Sequence, residues 1–186
     1  HSATVVGPGH IRHTASGATF VGPYQDGAPM SGAERVAAVL RTSGLEATPS
    51  PAVKTEIWKK LVLNAATLPT SALTESVVGR LGDAGLIDVV DELAIEATRV
   101  ARAQGYQIEV TERLERIHSV IAAGGIGRPS MLQDVQARRP TEIDTICGAV
   151  VQAGERYGLD VPLNRAMVAM VHALERSWLP GMEARS

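Results

Sequence analysis

Cysteine, aromatic rings and any excess of one charge are what this sequence has least of. A single cysteine, Cys147, excludes an internal disulfide and a thiolate metal cluster, and a lone thiol suits a reducing cytosol. Aromatic residues make up 3% of the chain, which removes the stacking platforms of single-strand nucleic-acid binders. Eighteen basic residues against 20 acidic ones leave a net charge of −2. No basic run offsets that balance locally, so nucleic acid is not an expected partner. No apolar run approaches the roughly 18 residues of a membrane span, so no membrane contact is expected. There is no signal-peptide pattern, and a cytoplasmic location is expected. The chain opens on His1 rather than Met, a start that fits a cloning or processing scar as well as the cut end of something longer.

What is present suffices for a self-supporting core. At about 100–200 residues per domain, the 186 residues hold one domain or one and a fraction. An apolar share of 45% and a charged share of 20% are those of a globular protein. The N-terminal quarter reads as strand. Segments 10–14 and 18–21 flank Ala15-Ser16-Gly17, which predicts a hairpin. A loop from Gly22 to Met30 leads to a helix with Ser31 as its cap, Glu34 closing a capping box, and Val36, Val39 and Leu40 on its apolar side. Segment 45–48 reads as a short strand ended by Pro49 and Pro51. Helices follow at 54–67, a short one opened by Pro69, then 86–103, one from Thr111 to Gly124-Gly125, 131–138, 141–157 and 163–177. The reading is a β-containing piece, 1–50, before an all-helical domain, 51–186. Two or three strands and one helix cannot cover both faces of a sheet, so the first piece should meet further strands or another chain.

Most catalytic signatures are missing. His10 and His13 point to opposite faces of a strand, no His-Glu-x-x-His or Cys/His spacing occurs, and no metal is expected. There is no Gly-x-Ser-x-Gly, and neither Gly7-Pro8-Gly9 nor the Gly124 to Gly127 segment has the dinucleotide-binding form. Cys147 sits in an apolar helical run and reads as a buried, inert thiol.

Two constellations remain. Lys60 and Asn64 are four residues apart on one helix face, at the border of a stripe formed by Trp58, Leu61 and Ala65, while Lys59 points about 100° away, toward water. A lysine on a stripe border is open to partial desolvation, which lowers its pKa toward use as an acid. A snorkelling lysine with its stem on the core fits the same spacing. The second constellation is 127–144, where Ser130 is placed to cap a helix from Met131, and Pro140-Thr141-Glu142 to open the next. Capping and the helix dipole account for these residues without catalysis.

Taken together, the two segments resemble the ketopantoate reductase (2-dehydropantoate 2-reductase) family. The residues that carry the resemblance are Trp58-Lys59-Lys60-Leu61-Val62-Leu63-Asn64, Ser130-Met131-Leu132-Gln133-Asp134, Arg139-Pro140-Thr141-Glu142-Ile143-Asp144 and the turn Val161-Pro162-Leu163-Asn164. The resemblance implies a mainly α fold: a multi-helix C-terminal domain of the 6-phosphogluconate-dehydrogenase-like type, preceded by a small β/α remnant of a truncated Rossmann domain. It implies NADPH-dependent reduction of the keto group of ketopantoate to pantoate, on the route to pantothenate and coenzyme A. Lys60 matches the lysine that gives the proton, and Asn64 and Ser130 match substrate-binding positions. Glu142 matches a carboxylate at the substrate and nicotinamide-ribose end of the cleft, a catalytic and cofactor-binding position.

This sequence departs from the family at two points. The glycine-rich NADPH fingerprint and an early substrate-binding asparagine of the family have no counterpart here, so the chain alone is expected to be inactive. Leu68 stands where the family usually repeats asparagine. Another 2-keto acid substrate, or a non-catalytic helical dimerisation module, are the competing readings. Self-association through uncovered sheet and helix surfaces is expected, and the helical domain is a second possible route to a homodimer.

Overall fold

The computed structural model describes residues 2–124 and 127–178. Two compact units are distinguished, His1–Ile57 and Trp58–Ser186, and the boundary falls within a helix.

In the first unit, β1 (Ser2–Gly7) and β2 (His10–Ala15) form an antiparallel hairpin closed by Pro8-Gly9. Proline fixes its own φ for the first turn position, and Gly9 takes φ +70°, a left-handed conformation that glycine adopts at less cost than residues with a Cβ. The expected hairpin between 10–14 and 18–21 is therefore not formed. The tight turn comes one strand earlier, and Ala15-Ser16-Gly17 only links two separate sheets. Strand β3 (Thr19–Val21) pairs in parallel with β4 (Ala47–Pro49), and helix α1 (Ser31–Thr42) makes the crossover that parallel strands require. Strand β4 begins two residues later than expected, ends one later and takes in Pro49.

Helix α1 turns Ala33 and Ala37 inward and leaves Val36 and Val39 of the expected apolar side exposed, while Leu40 is half-buried. It lies against β3 and β4, and methyl-sized side chains let it lie close. Ser31 does not cap it. The residue is already helical, and the first turn is closed by Glu34 N–H donating to the Met30 carbonyl at 2.9 Å. Gly22 is fixed by space, since a Cβ there would meet the Ser50 carbonyl oxygen at 2.1 Å. Strand β2 is exposed along its length, and Val5 and Ile11 of the hairpin are 76% and 67% exposed.

The second unit is helical: α2 (Val53–Thr74, from Trp58 on), a 3-10 turn (Val78–Arg80), α3 (Ile87–Ala103), α4 (Val110–Ala123), α5 (Ser130–Gln136), α6 (Ile143–Arg156) and α7 (Pro162–Arg176). From α3 onward these ends lie within two residues of the expected ones. Gly124 caps α4, and Gly125 of the expected stop lies outside the described residues. Helices α3, α4, α6 and α7 bury amphipathic stripes, with Val90, Leu93, Ala97 and Val100 of α3 meeting Ile146, Val150 and Val171 in one core.

Helix α2 is different. It is buried at every position from Ala65 to Ala72, the mark of a helix that others surround. It also runs through Pro69 without a break, against the expectation of two shorter helices. Proline removes the N–H that would bond the Ala65 carbonyl, and an unpaired buried carbonyl is costly. Here that carbonyl accepts from Cys147 Sγ at 3.7 Å. The neighbouring carbonyls of Leu63 and Ala66 accept from the hydroxyls of Thr67 and Thr70, at 2.8 and 2.9 Å. Side-chain donors thus replace or reinforce the backbone ladder where proline interrupts it.

Burial, and after it the Glu96 carboxylate, pushes Cys147 up to about 12 from an ordinary 9.0. The native state therefore holds its proton longer than the unfolded chain. This contribution to stability is whole below pH 9.0 and is lost as pH rises from there toward about 12. An alkylating reagent at about pH 8 is expected to modify Cys147 only after unfolding. Modification of the folded chain at the rate of a free thiol would contradict this assignment.

Candidate active site

Helix α2 carries the first pair of candidate residues. Lys60 is exposed, Asn64 is half-buried, and Leu68 is 9% exposed and packed in the core. Polarity and accessibility thus fall together along one line of the helix. The expected desolvation of Lys60 is not provided by these residues, and Lys59, expected to face water, is the half-buried member of the pair and has a partner. The reason lies in the first turns of α2. Ile57 is 49% exposed there, so Ile57, Lys60 and Asn64, at i, i+3 and i+7, share an open face rather than a stripe border. Leu68 is correspondingly a core residue of the helical unit.

The second group lies on α5 and the segment leading into α6. Pro129, extended at ψ 158°, precedes α5, and Ser130 is its first residue. Ser130 is exposed and makes no cap bond, so the expected capping role is not taken up. Helix α6 begins at Ile143, with Glu142 in the flanking position. The Glu142 carbonyl accepts from the Ile146 amide at 3.1 Å, while its exposed side chain makes no cap bond. Two ties join the motif blocks. The Arg139 guanidinium donates to Asp134 Oδ1 through Nε at 3.1 Å and Nη2 at 2.8 Å, and the Arg139 amide donates to the Asp134 carbonyl at 2.9 Å. The turn between α5 and α6 is thereby closed on itself. Helix α2 approaches α6 next to the site residues, since Ala65 follows Asn64 and bonds Cys147.

Ser130 and Glu142 are therefore held in one segment, and Lys60 and Asn64 on one helix face. No direct contact joins the two pairs. Among the described residues, none of the four side chains spends its polar atoms on an ion pair or hydrogen bond within the protein. The set offers an ammonium, an amide, a hydroxyl and a carboxylate. Together these can give a proton, orient a carboxylate or hydroxyl, and accept from a sugar hydroxyl. Among the described residues, no group of three or more His, Cys, Asp or Glu side chains gathers as a metal would need.

Two buried carboxylates were not anticipated from the sequence. Glu96 is 7% exposed on α3 and accepts from the Leu163 amide at 2.9 Å, the Asn164 amide at 2.9 Å and Asn164 Nδ2 at 2.8 Å. It thus caps the N-terminus of α7 from another helix, where a carboxylate also favours the dipole. Glu175, 2% exposed in the last turn of α7, accepts from the Thr141 amide at 2.6 Å. The sequence signal for each was a charge in a place that local rules disfavour: Glu96 on the apolar stripe of α3, Glu175 at the negative end of a helix dipole.

Known proteins resemble this chain over nearly its whole length. Residues 52–175 match the family described as ketopantoate reductase PanE/ApbA C terminal. The 2-dehydropantoate 2-reductase of Vibrio cholerae serotype O1 is 32% identical over 178 residues, covering 96% of this chain and 60% of that protein. The 2-dehydropantoate 2-reductase of Archaeoglobus fulgidus is 33% identical, covering 90% of this chain and 56% of its own length. The solved structure of D-mandelate dehydrogenase with NADH and anilino(oxo)acetate superposes with a TM-score of 0.88 at 28% identity, over 95% of this chain and 58% of that one. The 2-dehydropantoate 2-reductase of Methylococcus capsulatus superposes with a TM-score of 0.85 at 26% identity, over 97% and 62%. The chain thus spans about three fifths of the length of the relatives it matches. On the family match over residues 52–175 and these relatives, the chain belongs to the ketopantoate reductase family, whose mostly helical C-terminal domain it carries.

Proposed function

We propose that this chain supplies the substrate half of the active site of an NADPH-dependent 2-dehydropantoate 2-reductase. The observation that carries the reading is the set of four polar side chains, Lys60, Asn64, Ser130 and Glu142, which have no partner among the described residues and stand at the positions of the motifs that resemble the family's. The nicotinamide supplies a hydride to the keto carbon when bound. Lys60 Nζ gives its proton to the keto oxygen, and its charge stabilises the developing alkoxide. Asn64 and Ser130 hold the substrate's carboxylate and hydroxyl, which fixes the carbonyl for attack. Glu142, exposed and uncommitted, accepts hydrogen bonds from ribose hydroxyls and substrate. Residues 1–50 act as the end of the dinucleotide-binding domain, residues 51–186 as the substrate domain, in a cytoplasmic protein that serves pantothenate synthesis.

This sequence holds no pyrophosphate-binding glycine loop of the dinucleotide form, and backbone amides of such a loop supply much of dinucleotide binding. The isolated chain is expected to oxidise no NADPH with ketopantoate and to show no micromolar NADPH binding by calorimetry; micromolar binding would overturn this view of the division of labour. The complete site is tested by fusing this chain behind the N-terminal part of the Vibrio cholerae relative that it does not match.

A second reading concerns the substrate. A D-mandelate dehydrogenase with bound anilino(oxo)acetate is among the structures this chain superposes on, and a 2-keto acid with a more apolar tail than ketopantoate fits that likeness. Leu68 is packed in the core and carries none of this reading. The fusion is expected to prefer ketopantoate over ketoisovalerate under the first reading. A reversed kcat/KM ratio favours the second.

A further inference from the structure

The segment that presents Glu142 is tied down from one helix on both sides. Before Glu142, the Thr141 amide donates to Glu175 Oε1 at 2.6 Å. After it, Asp144 Oδ1 pairs with His172 Nε2 at 3.0 Å. His172 and Glu175 are three residues apart, so they lie on one face of α7. Thr141 is also braced internally, its Oγ1 accepting from the Ile143 amide at 3.3 Å. Glu142 itself is the residue left over. Its neighbours on either side are held, and its side chain is exposed.

Glu175 is the informative member. A carboxylate in the last turn of a helix faces the negative end of the dipole, and at 2% exposure it gives up hydration as well. Such a residue needs a tertiary reason, and the Thr141 amide is the one in view. Its bond uses a charged acceptor at short range, and a backbone donor leaves little freedom in where residue 141 sits. The pair His172 and Asp144 is more open, with side-chain exposures of 27% and 72%, so it is the weaker tie.

We infer that Glu175 is a positioning residue, which, seconded by His172, clamps residues 141–144 so that the Glu142 carboxylate is held ready for substrate and ribose. The inference rests on the role proposed above for Glu142. It extends that role to a helix that supplies none of the four site residues.

Two measurements test it. In the 186-residue chain, amide hydrogen exchange reports the clamp without any reaction. Glu175→Leu is expected to speed exchange at Thr141 and Ile143 while the α3 core amides stay protected, and Glu175→Gln, which keeps an acceptor, is expected to leave both slow. In the fusion, Glu175→Leu is expected to lower kcat/KM by roughly tenfold or more, as displaced catalytic groups do, with Glu175→Gln restoring most of it. The cost is expected to vanish in a Glu142→Gln background, because Glu175 acts through Glu142. An equal cost in both backgrounds means a merely structural role and overturns the inference. If Glu175→Leu does not fold, His172→Ala gives the same cycle with a smaller effect. Unchanged exchange at Thr141 defeats the clamp itself. A Glu142→Gln fusion with full activity instead defeats the role proposed for Glu142, and with it the purpose of the clamp.

Discussion

Replacing Lys60 by methionine is expected to lower kcat of the fused reductase by about 10²–10⁴-fold while KM changes little. Methionine keeps the length and flexibility of the stem but has neither a proton to give nor a charge to set against the alkoxide. With Asn64 and Ser130, the proposed substrate-binding residues, left in place, the loss is expected to fall on the chemical step. Lys60→Arg separates the two contributions. Guanidinium keeps the charge but does not release its proton at working pH, so arginine should recover little. Steady-state rates from nicotinamide absorbance, with kcat and KM fitted separately, decide the matter. A Lys60→Met enzyme within threefold of the parent would show that the proton comes from elsewhere.

Glu96→Ala is expected to lower the stability of the helical unit by about 3–5 kcal/mol, the range for uncovering buried hydrogen-bonding partners of a charged group. The carboxylate serves three donors at once, and one of its partners, Asn164, is fully buried. Alanine would leave the Leu163 and Asn164 amides and the Asn164 side chain without an acceptor, and Asn164 Oδ1 already lacks a donor in the native structure. For a domain of this size the loss corresponds to a fall in Tm of about 10 °C or more. Glu96→Gln keeps one acceptor oxygen and should cost roughly half as much. Thermal unfolding followed by helical circular dichroism reads both, and a shift of only a degree or two for Glu96→Ala would mean that water satisfies the start of α7.

These two residues also mark what the sequence makes legible. Helical periodicity places α3, α4, α6 and α7 because one face of each is buried, and a stripe of apolar residues needs only local information. Strand pairing is not local. The partner of β3 lies beyond α1, and nothing in segment 18–21 distinguishes a parallel partner there from an antiparallel one in segment 10–14. Pro69 misleads for a similar reason, since the carbonyl it strips of a donor is satisfied by Cys147, 82 positions along the chain. Ser31 and Ser130 have the right chemistry for caps, yet the helix starts one residue early at each.

The site is legible in part. The spacing of Lys60 and Asn64 puts both on one face, and the second block of motif residues is confined to one closed turn by Asp134 and Arg139. The openness of Lys60 was not legible, because the stripe border of α2 depends on which neighbours cover Ile57. Glu96 and Glu175 were hidden by being charged. Pattern reading assigns such residues to solvent, and only their donors, 67 and 34 positions away, show why they are inside.

The central claim is that Lys60, Asn64, Ser130 and Glu142 form the substrate half of a 2-keto-acid reductase. It is tested most directly by the fusion of this chain to the N-terminal part of the Vibrio cholerae relative. Ketopantoate added to that protein and NADPH is expected to produce stoichiometric NADPH oxidation and pantoate. A fusion that unfolds cooperatively and binds NADPH, yet reduces neither ketopantoate nor an apolar 2-keto acid, would contradict the claim and leave the chain a helical association module.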